Sequence, residues 1–141
     1  MASWFLYKYT RDLGATRWFY RDLVALECVW DQDGGIGFVH HCVQLTFDQS
    51  DTAVQYEGWA FQPGWARGQL HDAPETERAP SMSLQLPPDW FSAAVARLQE
   101  AGVAALRPSP SWVGYWSYVV RDPDGRTIEL SDNETPGPHG R

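Results

Sequence analysis

Four histidines, two cysteines and 18 acidic side chains are the groups in this 141-residue chain that could move a proton or hold a metal ion. His40 and His41 stand side by side in a run, residues 38–47, that reads as the longest strand candidate. Neighbours on a strand point to opposite faces, so only one of the two can face a given site. If Val43, Leu45 and Phe47 face a helix, His41 joins them, while His40, Cys42, Gln44 and Thr46 face the other way. His40 is then placed for acid–base work, for ligation, or for a plain hydrogen bond in a polar wall. His71 falls in a stretch rich in Pro, Gly and mixed charge and His139 in the tail, and neither is a credible ligand. Cys28 and Cys42 flank the Gly34-Gly35 turn almost symmetrically and are expected opposite one another, as reduced thiols. The remaining chemistry is stacking. Eight Trp, six Tyr and six Phe are more rings than a small core needs, so part of them is expected to line a cavity.

Composition narrows the partners. Hydrophobic residues make up 43% and charged residues 21%, enough for one domain with a buried core. The net charge of −7 leaves no basic stripe for phosphates, so no nucleic acid is expected, and no anionic membrane surface. No run is long and apolar enough to span a bilayer and no secretory signal opens the chain, which places it in the cytoplasm by expectation.

The positioning elements follow from periodicity. Residues 82–86 alternate as a half-buried strand, and Pro87-Pro88 ends it. Asp89 is expected to cap a helix with Phe91, Ala94, Val95 and Leu98 on its buried stripe and Gly102 as its stop. Residues 103–106 form a short apolar run, residues 112–121 an aromatic and β-branched strand, and Asp122-Pro123-Asp124-Gly125 a turn into a strand at 127–131. The first half repeats this order. Residues 4–9 are a strand, Asp12 opens a helix, residues 27–31 and 38–47 are strands, and residues 48–51 turn into a last strand at 52–59. The expectation is an α+β chain of two tandem βαβββ units, about residues 3–62 and 81–132, with a linker at about 63–80 and a tail at 133–141.

Two segments carry a family resemblance. Asp12-Leu13 followed by Thr16 and Phe19-Tyr20-Arg21-Asp22 resembles the opening signature of the vicinal oxygen chelate superfamily. Asp122-Pro123-Asp124-Gly125-Arg126-Thr127-Ile128-Glu129-Leu130 resembles its closing signature more closely. The superfamily includes glyoxalase I, extradiol dioxygenases, epimerases, fosfomycin-modifying enzymes and metal-free proteins that bind bleomycin or mitomycin. The resemblance implies that each unit curls into an open half-barrel sheet with its helix outside and the ligand in the concavity. Fold alone does not choose among these functions.

In metal-dependent members, His or Glu from the first and last strand of each unit holds a divalent ion. Carried over, these positions fall on Phe5, seven residues before Asp12, on Gln55, with Glu57 one strand period further, on Ser83, or Ser81 if the Pro-Pro pair adds a residue, and on Glu129. Only Glu129 is a strong donor, so the resemblance implies a vacated metal site and no cofactor. The same comparison turns Phe5, Tyr7 and Tyr9 inward on the first strand, and Tyr115, Ser117 and Val119 inward beside Glu129. Trp59, Trp65 and Trp112 fall near the mouth, whereas Trp4, Trp18, Trp30 and Trp90 are most simply core or surface.

The expected site is therefore a ring-lined box for a planar aromatic small molecule: Phe5, Tyr7, Tyr9, His40, Gln55, Trp59, Trp65, Ser83, Trp112, Tyr115, Ser117 and Glu129, with no catalytic set. Sequestration, as in antibiotic-resistance proteins, or carriage of a biosynthetic intermediate suits it. Two enzyme alternatives stand. One is a metal-dependent lyase or dioxygenase using His40, Gln55, Glu57 and Glu129. The other is a metal-free biosynthetic enzyme moving protons through Glu129, His40 or Tyr115. Family analogy implies a homodimer.

Overall fold

Asp12 opens the first helix as expected: its Oδ1 accepts the Ala15 N–H at 3.0 Å, satisfying a donor that helix geometry leaves unpaired. The structure, a computed structural model, describes residues 2–60 and 80–138. The chain divides into two units, Met1–Gln55 and Tyr56–Arg141. Among the described residues no helix is long and apolar enough to cross a membrane.

In the first unit, β1 (Trp4–Thr10) leads to α1 (Leu13–Arg17), which widens into π-helical turns over Trp18–Leu23 and closes with the Val24 N–H on the Phe19 carbonyl at 2.9 Å. Then follow β2 (Glu27–Gln32), β3 (Gly35–His40) and β4 (Val43–Gln49). The sheet order is β1-β4-β3-β2, with β1 parallel to β4 and the other pairs antiparallel. Tyr20 sits wholly buried between the helical segment and the sheet, 4.8 Å from the Phe47 ring and 5.9 Å from Phe38, and Ile36 and Val24 complete this core.

Two expectations fail here. The single strand at 38–47 is two strands joined by a tight turn at His41 and Cys42, and residues 52–59 form no strand. The turn has neither Gly nor Pro to announce it. His41 takes a left-handed φ of 51° instead, a conformation that costs His less than most residues. Cys28 lies opposite Phe38 and donates its thiol to the Trp30 carbonyl at 3.4 Å, while Cys42 occupies the turn, so the two free thiols are not a facing pair.

In the second unit, β5 (Ser81–Gln85) precedes α2 (Pro88–Glu100), β6 (Ser111–Trp112), β7 (Trp116–Arg121) and β8 (Thr127–Asp132). The order β5-β8-β7-β6 repeats the first sheet, including its parallel outer pair. Pro87, not Asp89, is the residue before the helix: Pro88 fills the first turn, where a missing N–H costs nothing, and Asp89 lies within that turn. Gly102 ends the helix as expected, but residues 103–106 contribute only an isolated bridge, Ala105 to Val120. The apolar stripe Phe91, Ala94, Val95 and Leu98 packs with Leu84, Tyr118, Val120, Ile128 and Leu130.

The 122–125 turn is the most heavily bonded corner. Asp122 Oδ1 accepts the N–H groups of Asp124 and Arg126 at 2.9 Å each, and the buried Arg126 guanidinium bridges the Asp122 and Asp124 carboxylates at 3.1 and 3.2 Å. Gly125 is required twice over: its φ is 88°, and a Cβ would run into the Tyr56 backbone.

Candidate functional site

Each sheet has one face under its helical segment and one face without it, and strand alternation sorts every candidate residue onto one or the other. In the second unit, Ser83 on β5, Ser117 and Val119 on β7, and Glu129 on β8 share the face away from α2, because Ser83 pairs with Glu129 and Glu129 with Val119. Leu84, Leu130 and Tyr118 share the opposite, helix-covered face.

Glu129 is the centre of the open face. Ser83 Oγ donates to its Oε1 at 2.6 Å, Tyr115 Oη to the same oxygen at 2.9 Å, and Ser117 Oγ to Oε2 at 2.6 Å. Two strands and the turn before β7 thus deliver three hydroxyls to one carboxylate on a third strand. A carboxylate offers about four lone-pair directions. Three are taken, and the one left lies on Oε2. Burial first, and then the Glu129 charge and hydrogen bond, raise the Tyr115 phenol far above its usual range. Tyr115 therefore stays protonated as a hydrogen-bond donor and is a poor acid. Beside Ser117 and Val119 lies a shallow hollow of about 10 Å³, also lined by Leu106, Arg107 and Ser111. Drug-sized ligands fill cavities of about 300–1,000 Å³. This hollow has room for about one water and no ring.

The rim of this face is built by the segment before the undescribed stretch. The Tyr56 N–H bonds the Asp124 carbonyl at 2.8 Å and the Ala60 N–H bonds Thr127 Oγ1 at 2.9 Å. Between them, Trp59 lies against Arg121, whose guanidinium carbon is 4.3 Å from the ring centroid. Arg121 pairs with Thr127 and so shares the face of Glu129.

The first unit's uncovered face is aromatic. Phe5, Tyr7 and Tyr9 pair with Gln44, Thr46 and Asp48, and they stay 51%, 74% and 63% exposed. Trp30 joins them from β2, opposite Gly37. A Cβ on Gly37 would lie 2.7 Å from the Trp30 indole carbons, so this glycine exists to let the ring lie flat on the strand.

The remaining candidates go elsewhere. His40 pairs with Val43 and lies on the face of Phe38 and Leu45, the opposite face from the one expected, because the turn at His41 shifts the alternation. Its ring meets His41 edge-on at 4.3 Å. Trp112 pairs with Trp116, their rings 5.6 Å apart, on the face away from Glu129. Gln55 and Glu57 are exposed in irregular chain beyond β4, and Gln55 Nε2 donates to the Val54 carbonyl at 3.3 Å. Trp65 lies outside the described residues. Sequence reasoning missed Trp30 and Arg121. The alternating Gly35 and Gly37 were the available signal for Trp30; Arg121 had none.

A divalent ion fits this donor set poorly. Among the described residues no three His, Cys, Asp or Glu side chains cluster. Glu129 has its lone pairs turned to hydroxyls that donate rather than ligate, and Phe5 offers no lone pair at all.

Comparison with known proteins agrees with the topology. Residues 5–131 match a family model described as a glyoxalase-like domain. A glyoxalase/dioxygenase from Nostoc punctiforme superimposes with a TM-score of 0.69 at 17% identity, over 93% of this chain and 90% of that one. Lactoylglutathione lyase from Agrobacterium tumefaciens gives 0.58 at 18% identity, over 93% and 92%. The fosfomycin resistance protein FosX from Mesorhizobium loti gives 0.61 at 14% identity, over 94% and 91%. At such identities the likeness is one of fold. A search of curated proteins found no match.

Proposed function

Because the chain belongs to the glyoxalase-like domain family, we propose that it uses the family's concave sheets to bind a planar aromatic small molecule, by contact rather than through a metal ion. The observation that carries this reading is the pair of uncovered faces: rings Phe5, Tyr7, Tyr9 and Trp30 on one, and on the other a carboxylate already held by three hydroxyls. The Trp30 ring, laid against Gly37, is pre-placed for stacking, and each aromatic pair adds about 0.5–1.5 kcal/mol beyond area burial. Sequestration of an antibiotic or carriage of a biosynthetic intermediate needs nothing more.

Titration with flat aromatic antibiotics and polycyclic phenols, followed by Trp emission, tests it. Quenching or a blue shift that disappears in Trp30→Leu is expected. Emission unchanged by every compound would end the reading. A metal-free enzyme is the second reading, favoured by the lone pair left on Glu129 Oε2, which could accept a proton from a bound guest. Conversion of a bound compound that Glu129→Gln abolishes while affinity survives would select it. Stoichiometric metal in protein purified without chelator would favour a metal-dependent enzyme over both.

A homodimer belongs to the same proposal. On edge strand β1, Trp4 and Leu6 are exposed on the face that Phe5 and Tyr7 do not use, with Trp4 66% accessible. Exposed apolar edges invite pairing. A monomeric mass in light scattering at micromolar concentration would refute it.

A further inference from the structure

Among the described residues, the open face of the second unit carries the Glu129 carboxylate and, on the same strand face, the Arg121 guanidinium, in a chain of net charge −7. Arg126 is committed differently, buried between Asp122 and Asp124, and Arg107 lies at the hollow beside Ser117 and Val119. Among the described residues Arg121 has no carboxylate partner, and its recorded side-chain contact is the Trp59 ring. Stacking on indole fixes the guanidinium plane but uses none of its five N–H groups. Such a fork matches the two oxygens of a carboxylate.

The spacing to Glu129 follows from the strands. Arg121 is opposite Thr127, and Thr127 is two residues from Glu129, about 7 Å along the strand. The free lone pair of Glu129 wants a donor, and Arg121 wants an acceptor. We propose that Arg121, seated on Trp59, is an oxyanion site, and that the guest is a flat aromatic acid whose carboxylate meets Arg121 while an O–H or N–H at its other end meets Glu129. This rests on the small-molecule reading above and gives it a substrate class.

The probe is 6-hydroxy-2-naphthoic acid, a two-ring plate with carboxylate and hydroxyl at opposite ends, compared with its uncharged carboxamide. Calorimetry supplies affinities, and nitrogen-15 spectra follow the Arg121 Nε–H together with the Trp59 and Trp30 indole N–H groups. The acid is expected to bind about tenfold tighter than the amide, the size of one charge-assisted contact at a partly exposed site. It should move the Arg121 and Trp59 signals. Arg121→Gln should remove the preference, bringing the ratio of the two affinities to about one, and Arg121→Lys, which keeps charge but loses the planar fork, should keep only part of it.

Equal affinities, with Trp30 moving and Arg121 still, would overturn the oxyanion site and leave the aromatic reading intact. Arg121 moving with Trp30 unmoved would support the site and remove the aromatic wall from the reading. If neither compound moved any of the three signals, both would fall. The wild-type spectra decide these cases without depending on the folding of any variant.

Discussion

Ser83 and Ser117 donate to Glu129 over the same 2.6 Å, and yet they should contribute very unequally. Ser117 is 5% accessible, whereas Ser83 is exposed at the outer strand β5. A hydrogen bond to a charged group away from water contributes about 1.5–3 kcal/mol. At an exposed position water competes, and about 1 kcal/mol or less remains. Ser117→Ala should therefore cost about 2 kcal/mol and Ser83→Ala less than about 1 kcal/mol. With a urea slope of about 2 kcal/mol/M, the midpoints should fall by about 1 M and by less than about 0.5 M. Near-UV circular dichroism during urea unfolding measures both. Repeating Ser117→Ala in a Glu129→Gln background isolates the charge-assisted part, and a coupling of about 1 kcal/mol is expected. Equal midpoint shifts for the two serine variants, or no coupling, would refute the claim that burial rather than bond length sets the strength of this cluster.

Gly37→Ala should lift the Trp30 indole off β3 and cost about 1–3 kcal/mol of overpacking, read as a lowered Tm together with a displaced Trp30 N–H resonance; an unmoved resonance would contradict the close approach. Burial pushes the Asp132 carboxyl up, but the Thr135 hydroxyl and the backbone N–H groups of Glu134 and Thr135 outweigh it and leave the group below its usual range. Its contribution is thus present above the unfolded value of about 3.9 and lost as pH falls through the lower folded value. The stability gap between wild type and Asp132→Asn should therefore shrink in acid, and a constant gap in acid titrations would refute this. Tyr115 has the opposite sign: its raised phenol contributes stability that is complete below the unfolded value of about 10 and is lost as pH rises beyond it. Tyr115→Phe should lose less stability than wild type on going from about pH 9 to about pH 11, and parallel alkaline melting curves would count against the assignment.

The parts of the fold legible beforehand were those whose causes are local. Asp122-Pro123-Asp124-Gly125 makes its turn through bonds within five residues, Asp12 caps a helix three residues on, and the α2 stripe needs only its own period. The grouping of Ser117, Tyr115 and Glu129 was legible too, because one hairpin carries all three. The turn at His41 was not, since no residue type there demands it and only the pairing of Phe38 with Leu45 and of His40 with Val43 holds it. That one undetected reversal moved His40 to the other face and left residues 52–59 outside the sheet.

Sequence by itself determined the order of strand and helix in the second unit, its hairpin turn, and the weakness of the donor set. Tertiary structure alone decided that Trp30 would lie over Gly37 and that Trp59 would carry Arg121. The reason is physical. Side-chain chemistry is written residue by residue, but which face a residue takes, and which distant partner it meets, depends on strand register, and register is set by the packing of the whole sheet.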